Sequence, residues 1–158
     1  MEEHNDRFMK KAIGLSRAGM EAGSGGPFGC VVVRNGAVVG KGYNSVLSDE
    51  DPTAHAEINA IRDACQKLDT FELDDCVLYT SCEPCPMCLS AIYWARIPEI
   101  YYSNTKEDAA DIGFDDSFIY EQIVLPSSER DIPMQRMNTE GAIEVFREWD
   151  CKEDKTAY

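Results

Sequence analysis

Residues 76–97 read CVLYTSCEPCPMCLSAIYWARI, and the change of pattern inside this stretch sets the architecture. CVLYTS (76–81) is uncharged and rich in branched and aromatic side chains, which reads as a buried strand. CPMCLSAIYWARI (85–97) reads as a short helix. Two prolines mark the junction. A residue before proline is pushed out of the helical region, so Glu83 and Cys85 are expected to be extended. Proline is favoured at the first helical position, which makes Pro86 the start of the helix and Cys85 its N-cap.

The same reading extends outward. Upstream, Phe8, Ala12, Leu15, Ala18 and Ala22 recur at steps of three and four, an amphipathic helix over 6–22 ended by the glycine-rich GSGGP. FGCVVVR and AVVGKGYNSV flank Asn35-Gly36, a strong hairpin signal. LSDEDPT is a loop with helix-start chemistry at its end. A helix follows over 55–68, marked by Ile58, Ile61, Cys65 and Leu68. Downstream come a strand in EIYYSN, a helix around 107–112, a Gly-Phe-Asp-Asp loop and a short helix near 117–123. The pattern ends with a strand near IPMQRMN, a helix over about 139–149 and a charged tail closing on Tyr158. A hairpin followed by alternating helices and strands predicts a mixed five-stranded sheet with helices on both faces, a three-layer α/β/α arrangement in a single domain spanning 1–158.

Bulk properties narrow the function. The chain has 158 residues, enough to bury a core without disulfide staples. Fifteen Lys plus Arg against 29 Asp plus Glu give a net charge of −14. Nucleic-acid binding depends on basic groups that neutralise phosphates, so this balance points to a small neutral substrate and away from a polynucleotide. No apolar run is long enough to span a bilayer. MEEHNDRFMKK lacks the basic start and apolar core of a secretion signal, so a cytoplasmic protein is expected, without membrane contact. Its seven cysteines are accordingly read as reduced thiols, some of them metal ligands.

The prolines sort the three clustered cysteines. Cys88 falls three residues after the Cys85 cap, and side chains so spaced are neighbours in a capping box. Both thiols sit at the positive end of the helix dipole, which favours thiolates and hence zinc. Cys82 lies behind on the strand and is expected to pack. A search for a third ligand among the histidines gives only His4, in the N-terminal stretch, and His55. His55 opens the helix over 55–68, with Glu57 two residues on. The two share one pocket only if that helix presents its N-terminal end, and in α/β sheets sites commonly form where helix N-termini meet the carboxyl ends of strands. Three protein ligands and an open position are catalytic in type, whereas structural zinc sites close with four. Zinc lowers the pKa of its water to roughly 7, and Glu57 is the group placed to carry the proton.

His55-Ala56-Glu57 with Pro84-Cys85-Pro86-Met87-Cys88 is the H-x-E…P-C-x-x-C pattern of zinc deaminases. Through these residues the chain resembles the cytidine deaminase superfamily over most of its length. Within it, GGPFGCVVV, NSV, DPTAHAEINAIRDAC, LYTSCEPCPMCLSAIYWAR and especially GFDDSFIY resemble the bacterial guanine deaminases.

The resemblance implies a cytidine-deaminase-like fold and one zinc per chain on His55, Cys85 and Cys88. It also implies Glu57 as catalytic proton carrier and guanine as the purine substrate. Asn44 would hydrogen-bond the base, where the plain alternative is a turn residue. Phe28 and Trp94 would wall the pocket, where the plain alternative is core and helix packing. Asp116 would contact substrate and help protonate the leaving amine, where the plain alternative is that Asp115 and Asp116 simply cap the following helix. Tyr158 would reach substrate from a C-terminal tail, about 150–158, that closes over the site. A homodimer is expected from the superfamily. Three other readings stay open: guanosine as substrate, adenosine in transfer RNA, and a zinc-stabilised module without catalysis.

Overall fold

Asn35 and Gly36 adopt φ of 51° and 72°, the two positive values a type I′ turn requires. The chain reverses there, from β1 (Gly29–Arg34) into β2 (Ala37–Tyr43). The computed structural model describes residues 2–158, with side chains from Asp6 onward. These residues form two compact units, one running to Ser117 and the other Phe118–Tyr158.

In the first unit the hairpin is continued by β3 (Cys76–Cys82) and β4 (Glu99–Asn104) in the order β2-β1-β3-β4. β1 runs antiparallel to both β2 and β3, and β3 runs parallel to β4. A parallel neighbour needs a crossover, and α4 (Pro86–Trp94) lies within it. Strand alternation splits the core between the two faces. On one, Cys30, Val32, Cys76 and Leu78 pack with Ala56, Ala60 and Ala64 of α3 (Ala56–Leu68) and with Ile92 of α4. On the other, Val31, Val33 and Tyr79 pack with Phe8 of α1 (Glu2–Glu21). Helices therefore cover both faces, as the patterning predicts. Val32 and Leu78 are fully buried, each a side chain whose burial stabilises by about 1.5–3 kcal/mol.

The small residues of β2 decide how near α3 comes. A Cβ at Gly42 would fall 2.5 Å from the Ala56 carbonyl oxygen and 2.6 Å from the Ala60 nitrogen. Glycine lets the first turns of α3 lie directly on the strand, which brings His55 and Glu57 over the sheet. Asn59 fastens the loop above, its Nδ2 donating to the Tyr43 carbonyl and the Ser45 hydroxyl, both at 2.9 Å.

Two expectations are corrected. The sheet has four strands, not five: residues 132–138 form no strand and every one of them is exposed. Pro133 has no N–H to give a ladder, and no apolar face there is buried to reward pairing. The hairpin's second strand also stops at Tyr43, short of Val46. Asn44 Oδ1 accepts from the Val46 N–H at 3.2 Å, turning the chain into a short helix, α2 (Val46–Asp49).

The remaining helices lie close to where the pattern put them. α5 (Lys106–Asp111) opens with a capping box between Thr105 and Asp108. α6 (Ser117–Val124) and α7 (Ala142–Cys151) follow. Within the second unit, the Arg130 guanidinium donates to the carbonyls of Ile123 and Leu125 at the end of α6, satisfying acceptors that a helix terminus leaves open. Among the described residues, no helix is long and apolar enough to cross a membrane.

Candidate metal centre and active site

His55 and Cys85 are each the N-cap of a helix, with extended backbones (φ −74°, ψ 159° and φ −65°, ψ 168°). Pro86 holds the first helical position of α4. The extended caps swing the imidazole and the thiol off the helix ends, and Cys88, one turn on, faces the same point. The sulfurs of Cys85 and Cys88 both lie 3.5 Å from His55 Nδ1. Zinc bound tetrahedrally, at about 2.0–2.1 Å from nitrogen and 2.3 Å from sulfur, separates those atoms by roughly 3.5 Å. The three donor atoms all lie within 4.8 Å of one another, and the residues fit the metal.

The electrostatics agree with a ligand set. The Cys85 thiol is pulled down to about 4, chiefly by the hydrogen bond from Cys88 and also by His55. The Cys88 thiol is pushed up by that same bond and by burial. His55 is raised mainly by its hydrogen bond to Cys85. The three side chains are thus electrostatically coupled, and a metal bound by them would take the place of their protons. Cys82 stands outside the group: its Sγ contacts the Thr105 carbonyl at 3.5 Å, and burial lifts its thiol to about 11. It packs, as the proline argument predicts.

Glu57 lies in the first turn of α3, 6 % exposed. Burial raises its carboxyl above the usual range, and a hydrogen bond from Thr80 offsets part of that rise. Thr80 Oγ1 donates to Glu57 Oε1 at 2.8 Å. The carboxyl also meets the Cys88 thiol, so the acid and the ligands form one cluster.

Asn44 is buried at the end of β2, its N–H donating to the Phe28 carbonyl at 3.0 Å. Phe28 packs edge-to-face on Phe114, with ring centroids 4.9 Å apart. It also lines a groove of about 270 Å³ with Ile13, Met20 and Ile112, a groove that none of the three metal-site residues borders. Asp116 is half-buried; desolvation raises its carboxyl, and Cys85 is the next cause. Asp115 Oδ1 instead accepts from the Ser117 N–H at 2.9 Å, a turn that leads into α6. Trp94 ends α4, at the opposite end from the thiols, and is 68 % exposed. Tyr158 is an exposed residue of the second unit.

Residues 2–104 match the family model for the cytidine and deoxycytidylate deaminase zinc-binding region. The chain belongs to that deaminase family. The guanine deaminase of Bacillus subtilis (strain 168) is 49 % identical over 155 residues, covering 98 % of this chain and 99 % of the relative. The X-ray structure of guanine deaminase from Bacillus subtilis superposes with a TM-score of 0.94 at 50 % identity, covering 97 % of this chain and 98 % of that one. The tRNA-specific adenosine deaminase of Aquifex aeolicus is 41 % identical, over 61 % of this chain and 63 % of its own length.

As a member of a zinc-dependent deaminase family, the protein is a hydrolase, and zinc is the metal its His/Cys/Cys group fits. Three residues around the deaminase's site are not singled out by motif spacing. Thr80 holds the Glu57 carboxylate, Gly25 abuts Asn44, and Phe114 buttresses Phe28. The signal for Thr80 is a hydroxyl in the middle of an apolar strand; Gly25 and Phe114 lie inside the GGPFGCVVV and GFDDSFIY motifs, where spacing alone does not single them out.

Proposed function

We propose that this deaminase hydrolyses guanine to xanthine and ammonia. One observation carries the reading: the likeness to Bacillus subtilis guanine deaminase runs through 98 % of this chain, well past the family region's end at residue 104. The likeness to the Aquifex aeolicus tRNA-specific adenosine deaminase covers 61 % of it. The net charge of −14 also argues for a free base over a polynucleotide.

When bound by His55, Cys85 and Cys88, zinc supplies Lewis-acid activation of a water. Glu57 takes a proton from that water as its oxygen adds to C2 of the purine, and passes it to ring N3. A second proton, from the oxygen now on C2, goes by way of Glu57 to the exocyclic amine, with Asp116 assisting. The C2–N bond then breaks and ammonia leaves. The two protons of one water are accounted for: one stays on N3 of xanthine and the other departs with ammonia. A buried carboxylate of raised pKa suits a group that must both take and give a proton. The Asn44 Oδ1 accepts the Val46 N–H and keeps a second lone pair, so its amide offers both an acceptor and the Nδ2–H donors to the purine edge. Phe28 offers a ring face to the base. Trp94 and Tyr158 are assigned to substrate on the resemblance alone, and a chain truncated before Tyr158 with unchanged KM would remove the tail from the account.

The same reading makes the enzyme a cytoplasmic homodimer. α4 carries no charged residue, and Tyr93 near its end is 76 % exposed. In a chain of net charge −14, an uncharged aromatic face is where a second copy meets least repulsion. The test of function is direct: zinc-loaded protein should convert guanine to xanthine, followed by absorbance. Turnover of guanosine with none of guanine would replace this reading with a nucleoside deaminase.

A further inference from the structure

Thr80 sits in β3, in the middle of the sheet, and is completely buried. It pairs directly with Cys30 of β1, also completely buried, and shares its face with Leu78, two residues away along the strand. A hydroxyl among such neighbours costs free energy unless its hydrogen is bonded. Here the one hydrogen goes to Glu57 Oε1 at 2.8 Å. Strand and helix are thereby joined by a bond from a rigid backbone to the tip of a flexible side chain.

From this geometry we propose that Thr80 is a positioning residue, which fixes Glu57 by its Oε1 and so leaves Oε2 as the single oxygen that carries the proton. The inference rests on Glu57 being the proton carrier of the proposed reaction. Oε1 already faces the threonine's hydrogen, so a proton placed there would oppose it. A proton taken from water therefore resides on Oε2 and leaves from Oε2, and the carboxyl need not rotate between the two transfers. A β-branched residue is suited to the task, because its χ1 is confined in a strand and the hydroxyl direction with it. Threonine thus fixes an acid that has three side-chain torsions of its own.

A purely structural bond would lower stability or metal content on removal; a positioning bond lowers kcat while KM and zinc stay constant. T80S and T80A both delete the methyl group and differ only in the hydroxyl. With guanine as substrate, T80S should keep kcat within about threefold of wild type. T80A should lose on the order of 100-fold in kcat, the cost of misplacing a reacting group by about an ångström. KM, zinc per chain by metal analysis, and the far-ultraviolet spectrum should match between the two. T80V, which keeps the side-chain volume, carries the same expectation as T80A and serves if T80A does not fold. Equal kcat in T80S and T80A, or a difference lying only in KM or zinc content, overturns the role of Thr80. Failure of the wild-type protein to turn over guanine overturns the proposed function instead, and the same pair is then compared on the base that is deaminated.

Discussion

Gly25 and Asn44 fit so closely that a Cβ on Gly25 would lie 2.0 Å from the Asn44 side-chain oxygen and 2.7 Å from its carbonyl. Any side chain at position 25 must therefore move Asn44, which is buried and tied to Val46 and Phe28. If Asn44 reads the purine edge, Gly25→Ala raises KM by about tenfold, the upper worth of one neutral hydrogen bond. Asn44→Ala should do the same. Because both act through one amide, the double variant should be little worse than Asn44→Ala alone. Steady-state kinetics on the three proteins checks this, and additive losses would show that Gly25 acts elsewhere.

The three cysteines of CEPCPMC should separate on substitution by serine. Cys85→Ser and Cys88→Ser remove donors that face His55 at 3.5 Å, and should lose zinc on dialysis, with activity falling in parallel. Cys82→Ser leaves the ligand set intact and should keep one zinc per chain. A chelator should abolish turnover of the wild-type protein, and added zinc should restore it. Metal analysis after gel filtration decides each case, and zinc loss in Cys82→Ser would contradict the assignment.

Glu57→Gln keeps an amide oxygen for the Thr80 hydroxyl but cannot take a proton. Its zinc content should be unchanged and its kcat lower by 10²–10⁴ or about that range. Asp116→Asn should lower kcat by a smaller factor, about tenfold, since Glu57 remains to protonate the amine. Asp115→Asn should leave kcat alone, because the Asp115 side chain is engaged by the Ser117 N–H and an amide oxygen can accept it as well. Near-native turnover in Glu57→Gln would sink the mechanism.

The loop leading to His55 is braced by Asp51, whose Oδ1 accepts from both the Thr53 hydroxyl (2.7 Å) and the Thr53 N–H (2.8 Å). These bonds, the hydroxyl first, hold the Asp51 carboxyl below its ordinary value. A carboxyl depressed by folding contributes stability that is fully present above its unfolded pKa, about 3.9, and lost as pH falls through the lower folded value. Asp51→Asn should therefore melt below wild type at pH 7, with the gap steady down to about pH 5 and closing below about pH 4. Thermal melts across that range test the sign; a gap that widens in acid would reverse it.

Much of this was legible because local backbone rules and site chemistry coincide. Pro86 must start a helix and Cys85 must be extended before it, so the ligand geometry is written into five consecutive residues. The Asn35-Gly36 turn and the alternation in β1 fix the hairpin as firmly. What was not legible depends on contacts between distant segments. Thr80 meets Glu57 across 23 residues of sequence, Gly25 meets Asn44, and Phe114 meets Phe28; no periodicity encodes such pairs. The missing fifth strand has the opposite cause. IPMQRMN alternates in part, but alternation makes a strand only where a neighbour offers ladder partners and a face to bury, and all seven residues are exposed.

The proposed activity places guanine deamination on the cluster of His55, Cys85, Cys88 and Glu57. Its most direct test is ammonia release by the zinc-loaded protein from guanine, guanosine, adenine and cytidine in parallel, with Glu57→Gln as control. Guanine should release ammonia with xanthine as product, the other three should release it far more slowly, and the variant should release almost none. Equal or faster release from guanosine, or release from guanine that survives Glu57→Gln, would contradict it.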